Sequence, residues 1–462
     1  MTELHTLSAT ELLHRYQRGE LSPLEVVRAT LAHIERCEPH LHACYALDTD
    51  AALVMAAAST ARWQRGEALP LDGVPVMVKE NIATKGVPMP LGTAATDLIP
   101  AAADAPPAAR LREAGAVILG KTTMPDYGML SSGLSSFHAL ARNPWDLRKS
   151  PGGSSAGAAA GLAAGYGPLH LGTDIGGSIR LPAGWCGVFG LKPSQGRVPI
   201  GAPYPARVAG PMTRTVADAA LSMTLLSQPD WRDHMSLPPQ HIGWLQLERD
   251  LRGLKIGLLM DAGWGLPVEP EVRAAIEAAA RAFEAVGAHV EPLQPFMTRT
   301  MVDGVDRFWR TRAWMDISAL PEARQAQVLP FIFAWAHGGA GLRGEDVFSG
   351  YSQQLLIRAA AVAACQPFDF VLSPVAPMPA FAAELPCPTN DPALPFEHIA
   401  FTLAYNMSEQ PAASINCGYT SSGLPIGLQI AGRRFDDLGV LQMARAWENM
   451  RPAQRTVPPL PG

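Results

Sequence analysis

The stretch 172-GTDIGGSIRLPAG-184 brings an aspartate, two adjacent glycines and a serine together near the middle of the chain. A Gly-Gly-Ser sequence taken alone is most often a turn between a strand and the next element. The other interpretation is that Ser178 is a nucleophile surrounded by backbone N–H groups, which the glycines leave unhindered. The sequence on either side of this stretch decides between the two interpretations.

Strands and helices alternate along most of the chain. Two capping boxes, Ser8 with Glu11 and Ser22 with Glu25, predict helices in the first sixty residues. Further helices are predicted at 51–63, 104–115, 215–227, 269–287 and 437–441, and strands at 73–81, 116–121, 169–173, 254–259, 289–293, 369–374, 412–417 and 426–432. The strands are apolar without alternation, which indicates a sheet buried on both faces. We therefore predict the α/β class, as a single large α/β/α sandwich with a mixed central sheet covered by helices on both faces.

The chain is predicted to be one domain, residues 1–462, because strands continue on both sides of its least periodic region. That region, 228–350, is rich in tryptophan, carries no motif and is expected to shape a pocket or an interface. The other parts are N-terminal helices at 1–70, a catalytic core at 71–227 and the C-terminal part of the core at 351–462.

Composition excludes several classes of partner. A net charge of −5 without a block of Lys and Arg gives no reason to expect nucleic acid. No apolar run is long enough to cross a membrane and the N-terminus shows no signal peptide, so a cytoplasmic protein is expected. Six cysteines without a C-x-x-C pair fit reduced, buried thiols. No histidine spacing suggests a metal site, and we expect neither metal nor cofactor.

Two motif matches are misleading. Residues 115-GAVILGKT-122 fit a phosphate-binding loop, but the four residues between the glycines are apolar and read as a buried strand. Residues 153-GSSAG-157 fit the nucleophile elbow of α/β-hydrolases, with Ser155 as the nucleophile. That elbow must follow a strand, and 143-NPWDLRKSPG-152 is a polar loop.

Three stretches remain: 172–184, 73-GVPVMVKEN-81 and 150-SPGGSSAGAAAG-161. A serine nucleophile needs a base, and a lysine can serve if burial lowers its pKa enough to leave it neutral. Lys79 ends an apolar strand, although a strand-end lysine taken alone is more often salt-bridged or directed to solvent. Together with 190-GLKPSQGRVP-199, 210-GPMTRTVADAA-220 and 423-GLPIGLQIAG-432, these stretches resemble the amidase signature family over most of the chain.

The resemblance implies a nucleophile, Ser178, and a base, Lys79. Ser154 is the serine implied to bridge them, after a cis peptide bond from Gly153. Neutral Lys79 would draw a proton from Ser154 while Ser154 draws one from Ser178, which activates Ser178 to attack an amide carbonyl.

The remaining site residues are expected to support this step. Backbone N–H groups around the nucleophile are predicted to bind the oxyanion, and nearby side chains to brace the loop. The predicted donors are those of Ile175, Gly176, Gly177 and Ser178. Asp174 and Arg180 are expected to brace the loop, and Ser155 to be a supporting hydrogen-bond partner. Glu409 and Asn416 depart from the family pattern and are expected, if they line the pocket, to favour a polar substrate.

The first predicted function is a stand-alone amidohydrolase that converts a small-molecule carboxamide to an acid and ammonia or an amine. The alternative is the glutaminase subunit of a tRNA-dependent amidotransferase, which would act with partner subunits. A third possibility is a catalytically silent assembly protein, against which the intact Lys79, Ser154 and Ser178 argue. A homodimer is compatible with a chain of this size.

Overall fold

The computed structural model describes residues 3–458 and residue 460, and within them the chain forms eleven strands and fourteen α-helices. The strands are β1 (Cys44–Tyr45), β2 (Pro75–Lys79), β3 (Val117–Thr122), β4 (Leu169–Asp174), β5 (Phe189–Lys192), β6 (Val208–Thr213), β7 (Lys255–Leu258), β8 (His289–Pro292), β9 (Phe370–Pro374), β10 (Ala412–Tyr419) and β11 (Pro425–Gly432). The helices are α1 (Ala9–Gln17), α2 (Pro23–Leu41), α3 (Thr49–Arg65), α4 (Pro106–Glu113), α5 (Ala156–Ala164), α6 (Arg180–Cys186), α7 (Val216–Leu226), α8 (Pro270–Ala285), α9 (Arg299–Ser318), α10 (Glu322–Gln325), α11 (Pro330–His337), α12 (Gly344–Cys365), α13 (Leu403–Met407) and α14 (Asp437–Met450).

The strands join into one mixed sheet in the order β1-β3-β2-β4-β6-β5-β10-β11-β9-β7-β8. Strand β2 runs parallel to β3 and β4, and β7 runs parallel to β8 and β9. The other neighbouring strands are antiparallel. Strand β4 therefore lies between a parallel and an antiparallel neighbour near the middle of the sheet.

Both faces of the sheet are buried because successive side chains of its inner strands enter different apolar clusters. Phe370 and Leu372 of β9 pack into one cluster, and Val371 between them packs into another on the opposite face. Val76 and Met77 of β2 divide in the same way. This arrangement confirms the predicted α/β fold, a single mixed sheet covered by helices.

The local signals near the N-terminus are confirmed. Ser8 accepts the N–H of Glu11 and the Glu11 carboxylate accepts the N–H of Ser8, so α1 begins with a capping box. Ser22 and Glu25 do the same for α2. The apparent phosphate-loop match lies in the buried strand β3, which excludes an exposed phosphate-binding loop there.

In the part of the chain that the structure describes, none of the helices combines the length and the apolar character that a bilayer crossing requires. All six cysteines belong to this part. Each is unpaired, and all except Cys44 are buried.

Candidate active site

The candidate site lies where β2 and β4 end side by side. The two strands pair in parallel, with Val78 opposite Leu171, so their carboxyl ends meet at one edge of the sheet. Lys79 is the last residue of β2, and Thr173 and Asp174 end β4. Ligands commonly bind beyond the carboxyl ends of parallel strands, where the connecting loops diverge.

Lys79 is fully buried and its ammonium nitrogen is held by two hydroxyl groups. Nζ lies 2.8 Å from Ser154 Oγ and 3.0 Å from Thr173 Oγ1. Burial, helped by the positive charge of Arg207 and opposed by Asp174 and Glu80, lowers the pKa of Lys79 to about 7. A large fraction of Lys79 is therefore neutral near pH 7, which is the form that can accept a proton.

Ser154 and Ser155 occupy the turn that enters α5. The peptide bond between Gly153 and Ser154 is cis. The backbone N–H of Ser155 donates to the carbonyl of Ser178 at 3.2 Å, and its hydroxyl donates to the carbonyl of Thr173 at 3.3 Å. Ser155 is fully buried and ties the turn to the loop after β4, whereas Ser154 reaches the cavity described below.

Ser178 lies in the loop between β4 and α6 and lines the same cavity as Ser154. Its side chain is half-buried, and its hydroxyl makes no hydrogen bond with any residue in the described ranges. The structure thus brings Lys79, Ser154 and Ser178 to one end of the sheet, with Ser178 Oγ open to a ligand.

Asp174 and Arg180 brace the loop that carries Ser178. Both side chains are fully buried, and the guanidinium donates two hydrogen bonds of 3.0 Å to the carboxylate. Burial opposes ionisation of Asp174, but the charge and hydrogen bonds of Arg180 outweigh it and hold the carboxyl pKa below its usual range. Arg180 also donates to the carbonyl of Thr402 and to the side chains of Asn406 and Gln429.

Removing the charge of Asp174 should destabilise the fold, because it would leave Arg180 buried without its counter-ion. We expect Asp174→Asn to lower the free energy of unfolding by about 3–5 kcal/mol, measured by urea denaturation. Asp250→Asn is the matched control, since Asp250 and Arg252 form an exposed pair and should contribute nothing measurable. Equal midpoints for the two variants would contradict the bracing role.

One predicted oxyanion donor is corrected by the structure. The N–H of Gly177 already donates to Asp174 Oδ1 at 2.7 Å, and Gly177 does not line the cavity. Glycine is required at position 177 because its φ is +132° and because a Cβ there would lie 2.5 Å from Thr402 Oγ1. The N–H groups of Ile175, Gly176 and Ser178 have no acceptor among residues 3–458 and 460, and these three residues do line the cavity.

The cavity over Ser178 has a volume of about 180 Å³ that a water-sized molecule can occupy. Its walls are mostly apolar, with six polar or charged side chains besides those of Ser154, Thr173, Asp174 and Ser178. The apolar side chains include those of Leu91, Met124, Met129, Leu130, Leu181, Trp309, Phe396 and Ile399, and the six polar or charged ones are those of Asn81, Tyr127, Ser131, Arg207, Arg312 and Asp316.

Sequence reasoning missed three charged residues of this cavity, Arg207, Arg312 and Asp316. Arg207 lies three residues before the stretch 210–220, so its position beside a recognised motif was a usable signal. Trp309, Arg312 and Asp316 belong to α9, inside the region 228–350 that was predicted to shape a pocket or an interface.

The hypothesis about Glu409 and Asn416 is wrong, because neither residue lines the cavity. The Glu409 carboxylate is held by Arg358 at 2.7 Å and by Arg434. Asn416 lies at an irregularity in β10 and bonds to the backbone of Gly418. Both residues make their polar contacts away from the cavity.

Comparison with known proteins places this chain in a family. The family model described as Amidase matches residues 25–441. The chain is 35% identical to a Glutamyl-tRNA(Gln) amidotransferase subunit from Myxococcus xanthus (strain DK1622), over 99% of this chain and 100% of that protein. Its fold is similar to that of a bacterial aryl acylamidase of the amidase signature family, with a TM-score of 0.90 and 31% identity over 97% of each chain. It is also similar to the corresponding Glutamyl-tRNA(Gln) amidotransferase subunit from Thermotoga maritima, with a TM-score of 0.79 and 26% identity over 99% of this chain and 97% of that one. The chain belongs to the amidase signature family.

Proposed function

We propose that this protein cleaves the C–N bond of a carboxamide through a covalent acyl-enzyme on Ser178. The observation that carries the proposal is the 2.8 Å contact between the buried Lys79 nitrogen and Ser154 Oγ, at the wall of the cavity that Ser178 lines. A base, a hydroxyl relay and a nucleophile at one cavity are what nucleophilic catalysis by serine needs.

In the proposed reaction, neutral Lys79 accepts the proton of Ser154 and Ser154 accepts that of Ser178. Ser178 Oγ forms a bond to the amide carbon, and the carbonyl oxygen becomes an oxyanion. The free N–H groups of Ile175, Gly176 and Ser178 are the donors available to it.

Collapse of the tetrahedral intermediate breaks the C–N bond, and the relay returns a proton to the departing nitrogen. Water then attacks the Ser178 ester by the same relay and releases the acid. The six unpaired thiols fit a reducing compartment, and we place this activity in the cytoplasm.

Two candidate functions use this same chemistry. The sequence relatives favour the glutaminase subunit of a tRNA-dependent amidotransferase over the stand-alone amidohydrolase, since the Myxococcus xanthus protein matches over its whole length. The fold supports the stand-alone enzyme, because the aryl acylamidase is the nearer of the two structures, with a TM-score of 0.90 against 0.79.

Assays on the purified chain separate these candidates. The chain alone is incubated with acetanilide, benzamide, a peptide amide and glutamine, and the release of ammonia or aniline is measured with Ser178→Ala as the blank. Hydrolysis of simple amides by the chain alone supports the stand-alone enzyme. Hydrolysis of glutamine that appears only once partner subunits have been added supports the glutaminase. No hydrolysis under either condition would overturn the proposed function.

A further inference from the structure

Two arginines of the cavity have no anionic partner within residues 3–458 and 460. Neither Arg207 nor Arg312 forms a salt bridge or a side-chain hydrogen bond with any residue that the structure describes, although both line the cavity of Ser178. Arg180 nearby shows the contrast, since the fold supplies its guanidinium with acceptors on four residues. A half-buried guanidinium without a carboxylate has lost part of its hydration, which favours binding of an anion.

Arg207 is held beside the nucleophile loop by the sheet itself. It immediately precedes β6, whose first residue, Val208, pairs with Asp174 at the end of β4. The neighbouring Ala206 donates its N–H to Gln195 and its carbonyl accepts from Asn406, which fixes the backbone there. The side chain of Arg207 therefore lies next to the loop of Ser178 rather than at the outer rim.

Arg312 reaches the cavity from a different element, helix α9. Trp309, Arg312 and Asp316 are spaced three and four residues apart, which places them on one face of this helix, and all three line the cavity. The Arg312 guanidinium lies 4.6 Å from the ring centre of Tyr204, in the loop that carries Arg207.

The charges in this part of the cavity do not cancel internally. Asp316 is exposed and forms no salt bridge with either arginine within the described ranges. Asp174 is already neutralised by Arg180. Burial lowers the pKa of Arg207, and the charge of Arg312 lowers it further, so the two guanidinium groups repel each other.

We propose that Arg207 and Arg312 form a carboxylate-binding subsite, so that the amide substrate carries an acidic group held between these two arginines. The apolar walls, including Trp309 and Leu181, would bind the part of the substrate between this group and the scissile amide. The subsite deepens the proposed function by naming the substrate class as acidic amides, and it fits a free-standing enzyme and a glutaminase alike, because glutamine also carries a carboxylate. Guanidinium groups suit this role because their forked donors match the two oxygens of a carboxylate.

The test compares acids with neutral amides of the same shape. The probes are the monoanilides of succinic, glutaric and adipic acid and 3-acetamidobenzoate, which places the carboxylate on the amine side. Each is paired with the compound in which the carboxylate is replaced by a primary amide. Dissociation constants are measured by calorimetry in the Ser178→Ala protein, where turnover is absent.

At least one acid should bind about tenfold or more tightly than its neutral partner, in keeping with a charge-assisted hydrogen bond. Arg207→Gln and Arg312→Gln should each reduce that preference, and the double variant should abolish it while affinity for the neutral partner stays within a few-fold. Arg148→Gln, at an exposed pair outside the cavity, is the control that should retain the preference.

No preference in any pair, or a preference that survives the double variant, would overturn the subsite. Because binding is measured without catalysis, the subsite can stand even if the protein with Ser178 intact hydrolyses nothing. Hydrolysis of amides, together with equal affinity for the acidic and neutral probes, would support the proposed function and contradict the subsite.

Discussion

Ser178→Ala should abolish amide hydrolysis. Without the hydroxyl there is no atom to form the acyl-enzyme, and loss of a serine nucleophile lowers kcat by about 10⁴-fold or more. The measurement is the rate of ammonia or aniline release from the best substrate of the amide panel, with circular dichroism to show that the variant is folded.

Ser318→Ala is the matched control for this loss. Ser318 is an exposed serine at the end of α9, and its removal should leave the rate unchanged. A folded Ser178→Ala protein that retains a rate within tenfold of the unchanged protein would show that another group attacks the amide.

Lys79→Met should also lower the rate of amide hydrolysis. In the unchanged protein, the dependence of kcat/KM on pH should show the titration of Lys79. Only the neutral amine can accept a proton, and the pKa of Lys79 is lowered to about 7. We therefore expect kcat/KM to rise about tenfold per pH unit well below pH 7 and to level off above it. Replacing Lys79 should lower kcat/KM by about 10²–10⁴-fold, the usual range for a general base.

Two variants sharpen this prediction. Lys85→Met removes an exposed lysine and should leave both the rate and the profile unchanged. Arg207→Gln should move the rising limb to higher pH, because the charge of Arg207 helps to lower the pKa of Lys79. Assays at intervals of about one pH unit, from about pH 5 to about pH 9, measure this dependence. A kcat/KM that does not change over the range contradicts a lysine base.

The fold was largely predictable from local signals. Neighbouring residues are enough to predict the capping boxes at Ser8 and Ser22, and both form in the structure. The same holds for apolar strands such as 73–81 and 369–374, whose side chains are buried on both faces of the sheet. Helix α5 was not predicted, although six of the nine residues in Ala156–Ala164 are alanine, the residue with the highest helix propensity. The helix carries no amphipathic pattern because all but its last two residues are buried.

The residues of the candidate site could be predicted only where they lie in a recognised sequence motif. Lys79 and Ser154 are 75 residues apart in the sequence, so no local spacing predicts their contact. The resemblance to the family predicted that they belong to one site. The engagement of the Gly177 N–H by Asp174 depends on the loop conformation, which the sequence does not reveal. Arg207 and Arg312 share the cavity because β4 pairs with β6 and α9 covers it, and such long-range placement lies outside any local pattern.

Peptide mapping by mass spectrometry after reaction with a fluorophosphonate probe tests the central role of Ser178 most directly. We expect a single adduct on Ser178 in the unchanged protein and none in Lys79→Met, because the hydroxyl is activated only through the lysine relay. An adduct on Ser155, or a folded and active protein that gains no adduct on Ser178, would contradict the serine–serine–lysine mechanism.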